Sequence, residues 1–380
     1  MKKICLFFCL MFFPFCVFGE ELDLTENSKS AIMIEYSTGE ILYKKNINQR
    51  MAPASMTKIM SLILIMENIE AGKLKWNDIV VASSNAASMG GSQIFLSANE
   101  MMSVEDLVKG ICIASGNDAT VAMAERIAGT EAAFVKMMNE KVRSLGLKNT
   151  NFVNSTGLDA EGHYSTVYDM AIMAKELIKY NKILEFSSIY EDYLRKNTEN
   201  SFWLVNTNKL VRYYSYIDGL KTGYTGDAGY CLTATGKKDG MRLITVIMNA
   251  DTSQNRNKDT IGMMNYGFNM YSLDKIVSNK ESLGNIRISL GDKDNVYIRV
   301  KDNVTILNNN QMDKRNITYN ITTNKVIAPV KVGDEVGKLN VYEDGKFKYS
   351  VPLTVMEDVD KANIFKMFLR NLKDVFSINF

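Results

Sequence analysis

The run Ile59, Met60, Leu62, Ile63, Leu64, Ile65 and Met66 is apolar around the whole circumference of a helix, which predicts a helix enclosed within a domain and not laid on its surface. At its head stands Ala54-Ser55-Met56-Thr57-Lys58. Residues three apart share a helix face, so the Lys58 amine can reach the Ser55 hydroxyl and take its proton, making Ser55 a nucleophile and Lys58 its base. Burial disfavours a charged lysine, and a second cation nearby would depress its pKa further, leaving a neutral amine able to act as a base. The chain is therefore expected to supply that second cation. Taken alone the spacing is a weak signal: Ser272-Leu-Asp-Lys275 shares it, and a serine at a helix start is more often a cap.

Histidine offers little competition for the role of base. His163 is the only one in the chain, which argues against a metal site and leaves a serine–histidine pair a single candidate. It reads as a loop or helix-entry residue, with a role near the site as the lesser alternative. No cofactor or metal is expected. The 380 residues suffice for about two domains with a real core, and the formal net charge of +2, without a basic block interleaved with aromatics before the last residues, argues against nucleic acid. Small or peptidic substrates fit better.

The N-terminus has the form of an export signal over residues 1–19. Lys2 and Lys3 precede an apolar stretch from Ile4 to Phe18, shorter than the roughly 20 residues of a spanning helix, and Val17-Phe18-Gly19 offers a cleavage region, with an uncleaved anchor as the lesser alternative. Of five cysteines, Cys5, Cys9 and Cys16 belong to this leader. Only Cys112 and Cys231 remain, each in an apolar context suited to a small core residue, so no disulfide framework is expected.

Residues 20–274 read as one α+β domain. Ala31–Tyr36 and Glu40–Tyr43 flank Ser37-Thr38-Gly39 as a hairpin, and Pro53 stiffens the approach to Ser55. Ser103-Val-Glu-Asp106 is a capping-box-like start for a helix that stops at Ser115-Gly116-Asn117; helical patterning resumes from Asp118 to Ile127, which puts a Ser and an Asn on a tight turn. Further helices are predicted over Glu131–Leu145, Val167–Tyr180 and Asn255–Met270, and strands over Ile217–Gly223, Tyr230–Thr235 and Met241–Asn249, the last two joined across Asp239-Gly240. Strands at both ends of the domain with helices between them predict an antiparallel sheet closed by segments distant in sequence.

From about residue 275 to 357 the texture changes to short β-like runs, at 286–290, 296–300, 304–307, 317–322, 326–332, 338–342 and 349–355, which predict a small all-β domain without chemistry of its own. Residues 358–380 form the tail. Placed on a helix, Ile364, Phe365, Phe368, Leu369, Leu372, Val375 and Phe376 fall on one side, with Lys366, Arg370 and Lys373 opposite. Such a helix could pack on a partner or on the β domain, but aromatic and basic residues at a free terminus of an exported chain favour a membrane surface as the partner of residues 361–380.

Three stretches carry the chemistry: Ser55 to Lys58 on a helix, Ser115 to Asn117 on a turn, and Lys221-Thr222-Gly223 on a strand. Lys221 is the cation that Lys58 requires. Ser83-Ser84-Asn85 also fits the second pattern, but the ordered set is specific. With it the chain resembles the penicilloyl-serine transferase family, whose signature is Ser-x-x-Lys, Ser-x-Asn and Lys-Thr-Gly. More narrowly it is similar to the low-molecular-mass penicillin-binding proteins that are D-alanyl-D-alanine carboxypeptidases, of the S11 peptidase type. The similarity extends to Gly162-His-Tyr-Ser-Thr166, Asn206-Thr-Asn-Lys-Leu210 and Asp218–Thr225.

The resemblance implies a β-lactamase/transpeptidase-like domain, an all-β domain and an amphipathic C-terminal helix. It implies that Ser55 attacks the carbonyl between the two terminal D-alanines of a peptidoglycan stem peptide and that water hydrolyses the acyl-enzyme. Lys58 would be the base, Ser115 a proton relay to the leaving amine, Lys221 the group tuning both, and Asn117 the support for the substrate amide. Backbone N–H groups of Ser55 and Tyr224 would form the oxyanion hole, Thr222 would bind the substrate carboxylate, and Arg256 would assist electrostatically. Gly223 would let a strand edge approach the substrate backbone. Some relatives carry His where this chain has Tyr224, so the backbone role transfers and the side-chain role does not. β-Lactams would be covalent inhibitors, and the location would be the outer face of the cytoplasmic membrane. DD-endopeptidase action shares the same site. A serine β-lactamase lacks the β domain and anchor and calls for a Glu-x-x-Leu-Asn stretch that is absent here, and the intact residue set argues against an inactive cell-wall scaffold.

Overall fold

The computed structural model describes residues 22–311 and 315–363; the expected leader, and the expected tail helix beyond residue 363, lie outside them. Strands β1 (Ser28–Glu35) and β2 (Ile41–Lys45) form the predicted hairpin, with Ala31 opposite Lys45. The chain then enters a 3-10 turn, Ala54–Thr57, that runs directly into α1 (Lys58–Glu70). Every residue of α1 from Lys58 to Met66 is buried, as an all-round apolar helix requires.

A helical block follows. Strands β3 (Ile79–Val81) and β4 (Met101–Ser103) pair around the short α2 (Ser84–Ala87). Ser103 caps α3 (Val104–Lys109), its hydroxyl accepting from the Asp106 N–H at 3.1 Å. This helix loosens into a π turn, Gly110–Ala114, before α4 (Asn117–Ala128). Next come α5 (Glu131–Ser144), α6 (Val167–Leu177) and α7 (Asn181–Ser188), then a hairpin of β5 (Glu191–Leu194) and β6 (Phe202–Val205), and α8 (Leu210–Tyr213). The predicted strands return as β7 (Ile217–Thr225), β8 (Gly229–Lys238) and β9 (Met241–Ala250), followed by α9 (Ser253–Met270).

The sheet order is β2-β1-β9-β8-β7, antiparallel throughout. β1 lies against β9, with Ala31 opposite Ile247, so the two ends of the domain close one sheet. Alternation along β1 serves both faces: Ile32 and Ile34 join the cluster around α1, while Ala31 and Met33 join Met263 and Met264 of α9. β7 is left as an edge strand beside the nucleophile turn.

Strand β10 (Tyr271–Val277) pairs with β13 (Val304–Asn309). The remaining strands, β11 (Asn285–Ser289), β12 (Asn295–Val300), β14 (Ile317–Thr323), β15 (Val326–Ile327), β16 (Gly337–Glu343) and β17 (Lys346–Val355), form a sheet ordered β14-β16-β17-β12-β11-β15. Ile288, Val300, Leu339 and Leu353 fill its core. The run expected as a strand over 326–332 is cut to two residues because Pro329 has no N–H to continue a ladder. The first residues assigned to the tail helix are extended instead: Val359 bridges to Val330 and is fully buried, and Lys361 bridges to Gly291.

Candidate active site

Ser55 sits on the 3-10 turn, not on the α-helix expected for it, while Lys58 is the first residue of α1. The tighter turn eclipses side chains three apart and brings the pair together. Lys58 Nζ lies 2.9 Å from Ser55 Oγ, with Ser55 half-buried and Lys58 fully buried. A second contact fixes the amine, which donates to the Thr156 carbonyl at 2.7 Å. Burial first, and then the neighbouring Lys221 cation, hold the Lys58 pKa well below the ordinary lysine range, with Asp118 opposing.

Lys221 is buried in the middle of β7, and its Nζ donates to the Thr222 carbonyl at 3.0 Å. Its pKa is brought down to about 7, chiefly by burial and also by Arg256, while Cys112 acts in the other direction. Arg256 lies on α9, buried, with its guanidinium donating to Asn257 Oδ1. Cys112 and Cys231 are free and buried.

Ser115 ends the π turn in the left-handed region, at φ 64° and ψ 31°. For a serine that conformation is uncommon, and such backbone gathers at functional sites. Its Oγ is buried with no hydrogen-bond partner among the described residues, as is Asn117 Oδ1. The hydroxyl can donate or accept and the amide oxygen can only accept, so both leave hydrogen-bonding capacity open. Asn117 is otherwise held firmly: its Nδ2 donates to the Gly90 carbonyl and its N–H to the Ser92 carbonyl, each at 2.7 Å. Asp118, whose carboxylate accepts from the N–H groups of Ile94, Leu96 and Ala119, braces the same loop.

On β7, the Thr222 hydroxyl meets that of Thr207 at 2.7 Å, and the Thr207 N–H donates to the Ile113 carbonyl at 3.1 Å, linking strand to π turn. A Cβ on Gly223 would lie 2.9 Å from the Pro53 carbonyl oxygen and 3.2 Å from the Ser55 nitrogen. The missing side chain thus makes room for the nucleophile turn itself, a role not foreseen from the sequence. Tyr224 is 58% exposed, its ring 4.4 Å from that of Tyr230.

His163 is buried and bridges two segments: its Nδ1 accepts from the Val153 N–H at 3.1 Å, which leaves Nε2–H to donate to Thr57 Oγ1 at 2.8 Å. Burial pushes its pKa down to about 4, against a weaker upward pull from Asp159. It ties the 3-10 turn to the loop that carries Thr156. The sequence assigned no role to the loop residues Thr156 and Gly157, to the brace Asp118 or to the hydroxyl of Thr207. The Asn-Ser-Thr-Gly run of 154–157 was the available signal, since Asn154 Oδ1 accepts from the Thr156 N–H at 3.2 Å in an Asx turn and from the Gly157 N–H at 2.7 Å.

A serine against a buried lysine held toward its neutral form, two buried and unpartnered side-chain oxygens and an open strand edge define a serine acyl-transfer enzyme that needs no histidine base. Residues 19–252 match the D-alanyl-D-alanine carboxypeptidase family profile, and residues 271–361 match the C-terminal domain of penicillin-binding protein 5. The chain is 47% identical over 353 residues to D-alanyl-D-alanine carboxypeptidase DacF of Bacillus subtilis, covering 93% of this chain and 91% of that one. Penicillin-binding protein 5 of Haemophilus influenzae superposes with a TM-score of 0.70 at 32% identity, covering 88% of this chain and 98% of that one. Penicillin-binding protein D2 of Listeria monocytogenes in its cefotaxime-bound form superposes at 0.59 with 31% identity, covering 66% and 100%. This chain belongs to the D-alanyl-D-alanine carboxypeptidase family, and it is a serine-type hydrolase of that kind.

Proposed function

We propose that Ser55 attacks the carbonyl joining the last two D-alanines of a peptidoglycan stem peptide. The observation that carries this reading is the 2.9 Å approach of Lys58 Nζ to Ser55 Oγ at a lysine fully buried and shifted toward its neutral form. Lys58 takes the hydroxyl proton as the Oγ–C bond forms. The tetrahedral oxyanion rests on the N–H groups of Ser55 and Tyr224, a donor pair of which one is typically worth on the order of 100-fold in rate. Ser115 relays the proton gained by Lys58 to the leaving amine as the C–N bond breaks, which restores both groups, and free D-alanine departs. Asn117 holds the substrate amide, and Thr222 takes the terminal carboxylate beside Lys221, whose charge Arg256 modulates. Water, deprotonated through the same groups, then releases the shortened peptide from Ser55.

A β-lactam presents an acyl group to the same serine and forms the same ester, as the cefotaxime-bound relative suggests. The protein acts outside the cytoplasm, and the amphipathic residues of the tail hold it at the outer face of the membrane. Deleting residues after Asp360 is expected to release it while sparing turnover of a soluble peptide; a truncated form still pelleting with membranes overturns the anchoring role.

The test is mass spectrometry after incubation with penicillin, alongside D-alanine release from a diacyl D-Ala-D-Ala peptide. A stable adduct on Ser55 with D-alanine release supports the reading. Cleavage of cross-linked dimers without release of terminal D-alanine would make the enzyme an endopeptidase, and neither adduct nor product would overturn the assignment.

A further inference from the structure

Lys58 is oriented by a backbone carbonyl, and what holds that carbonyl lies outside the signature residues. A neutral amine has one lone pair and two N–H groups. For the lone pair to face the Ser55 proton, an N–H must be committed elsewhere, and the Thr156 carbonyl at 2.7 Å accepts it. The position of Thr156 therefore sets the direction in which the base points.

The loop bearing Thr156 is fastened by two side chains of α5, each making a paired contact. Asn139 bonds both backbone groups of Phe152, Nδ2 to its carbonyl at 2.8 Å and Oδ1 from its N–H at 2.9 Å. Glu131 Oε1 accepts from the Ser155 N–H at 3.0 Å and from the Ser155 hydroxyl at 2.6 Å. Ser155 precedes Thr156 directly, and its own carbonyl accepts from Ser61 Oγ, one turn along α1 from Lys58, at 2.7 Å. Ser61, Ser155 and Thr156 are all fully buried. Among the described residues no cation pairs with Glu131; its carboxylate stands in the first turn of α5, and its hydrogen bonds go to Ser155.

We infer that Glu131 is a positioning residue for the catalytic base: through Ser155 it holds the Thr156 carbonyl against Lys58, which fixes the amine toward Ser55 and keeps water from it. The inference rests on Lys58 being the base proposed above. Removing the carboxylate loosens the loop, turns the lone pair off the serine and admits water beside the amine. Because burial is the main cause of the low Lys58 pKa, partial rehydration raises it. The groups facing the amine are Lys221 from β7, Asp118 from α4 and the Ser55 hydroxyl, and none of them changes.

The experiment is the pH dependence of the penicillin acylation rate constant for the wild-type chain, Glu131→Ala, Glu131→Gln and a Lys58→Ala control. Expected for Glu131→Ala is a loss of about 10-fold or more, the scale of a small misplacement of a reacting group. Its acidic limb should also move to higher pH, a shift that lowered stability alone would not cause. Glu131→Gln retains an acceptor oxygen and should recover most of the rate. Ser155→Ala deletes only the hydroxyl half of the contact, and serves if Glu131→Ala does not fold; it should fall between. An unmoved limb in Glu131→Ala, or in Ser155→Ala, with Lys58→Ala inactive, overturns the inference alone. Acylation that survives Lys58→Ala overturns the base assignment and the role of Glu131 with it.

Discussion

Gly157 packs so closely on Ala54 that a Cβ there would stand 1.8 Å from the Ala54 carbonyl oxygen and 2.9 Å from the Ser55 nitrogen. Its φ of +90° is also one that side chains rarely adopt. The residue that follows the base's carbonyl partner is thereby wedged under the nucleophile turn. Gly157→Ala must displace one or the other, at more than about 2 kcal/mol. Expected are a lowered melting temperature and a penicillin acylation rate reduced by about 100-fold or more; acylation at the wild-type rate would show that the turn tolerates the shift.

Lys221 links catalysis to stability. Its pKa is 10.5 when unfolded and about 7 in the folded chain, so between those values the unfolded state binds more protons and stability rises with pH. Below about pH 7 the burial penalty is present in full; it fades as pH approaches 10. From pH 7 to 9 this one group should add on the order of 2–3 kcal/mol. Lys221→Met removes the group, so it should be inactive yet at least as stable at pH 7, with a flatter rise. The check is denaturant unfolding of both proteins across that range, and parallel curves would refute the assignment.

Asp118 offers a different dissection, because it reaches the Lys58 amine only through its charge while its hydrogen bonds all go to backbone. Its carboxylate receives the N–H groups of Ile94, Leu96 and Ala119 at 2.9–3.1 Å, fixing the loop whose Gly90 carbonyl orients Asn117. Asp118→Ala leaves buried donors unpaired and should cost about 3 kcal/mol, with kcat/KM on a D-Ala-D-Ala peptide lowered about 10-fold. Asp118→Asn keeps one acceptor oxygen and should lose less of both. Loss of stability with unchanged kcat/KM would separate the loop from substrate binding.

The parts legible in the sequence were those encoded locally. Seven apolar residues in the eight from Ile59 to Met66 announced a buried helix, and the Asp239-Gly240 turn announced the β8–β9 hairpin. Closure of β1 on β9 followed from strand placement at both ends of the domain. The 3-10 geometry at Ser55 and the π turn before Ser115 were not legible, because Gly110–Ala114 has ordinary helical composition and only packing reveals the extra residue. β5 and β6 were missed because Glu191–Leu194 and Phe202–Val205 are too short to show a period. The carbonyl of Thr156 could not be read at all, since a backbone group has no residue type to betray it.

The surroundings of His163 argue against its taking part in the proton transfers. A catalytic histidine near neutral pH would have to gain and lose a proton there, whereas this ring is buried, accepts a backbone N–H on Nδ1 and titrates at about 4. Its folded pKa lies below the unfolded 6.5, so the unfolded state binds more protons between the two and stability falls as pH drops through that window. By pH 4 the loss should reach about 3 kcal/mol. His163→Gln can still bond Thr57 or Val153 and carries no titrating group. It should therefore retain most of its activity at pH 7 and lose less stability than the wild-type chain between pH 6.5 and 4, as measured by urea unfolding. An acylation rate at pH 7 that collapses in His163→Gln while the fold survives would instead make the ring a participant in catalysis.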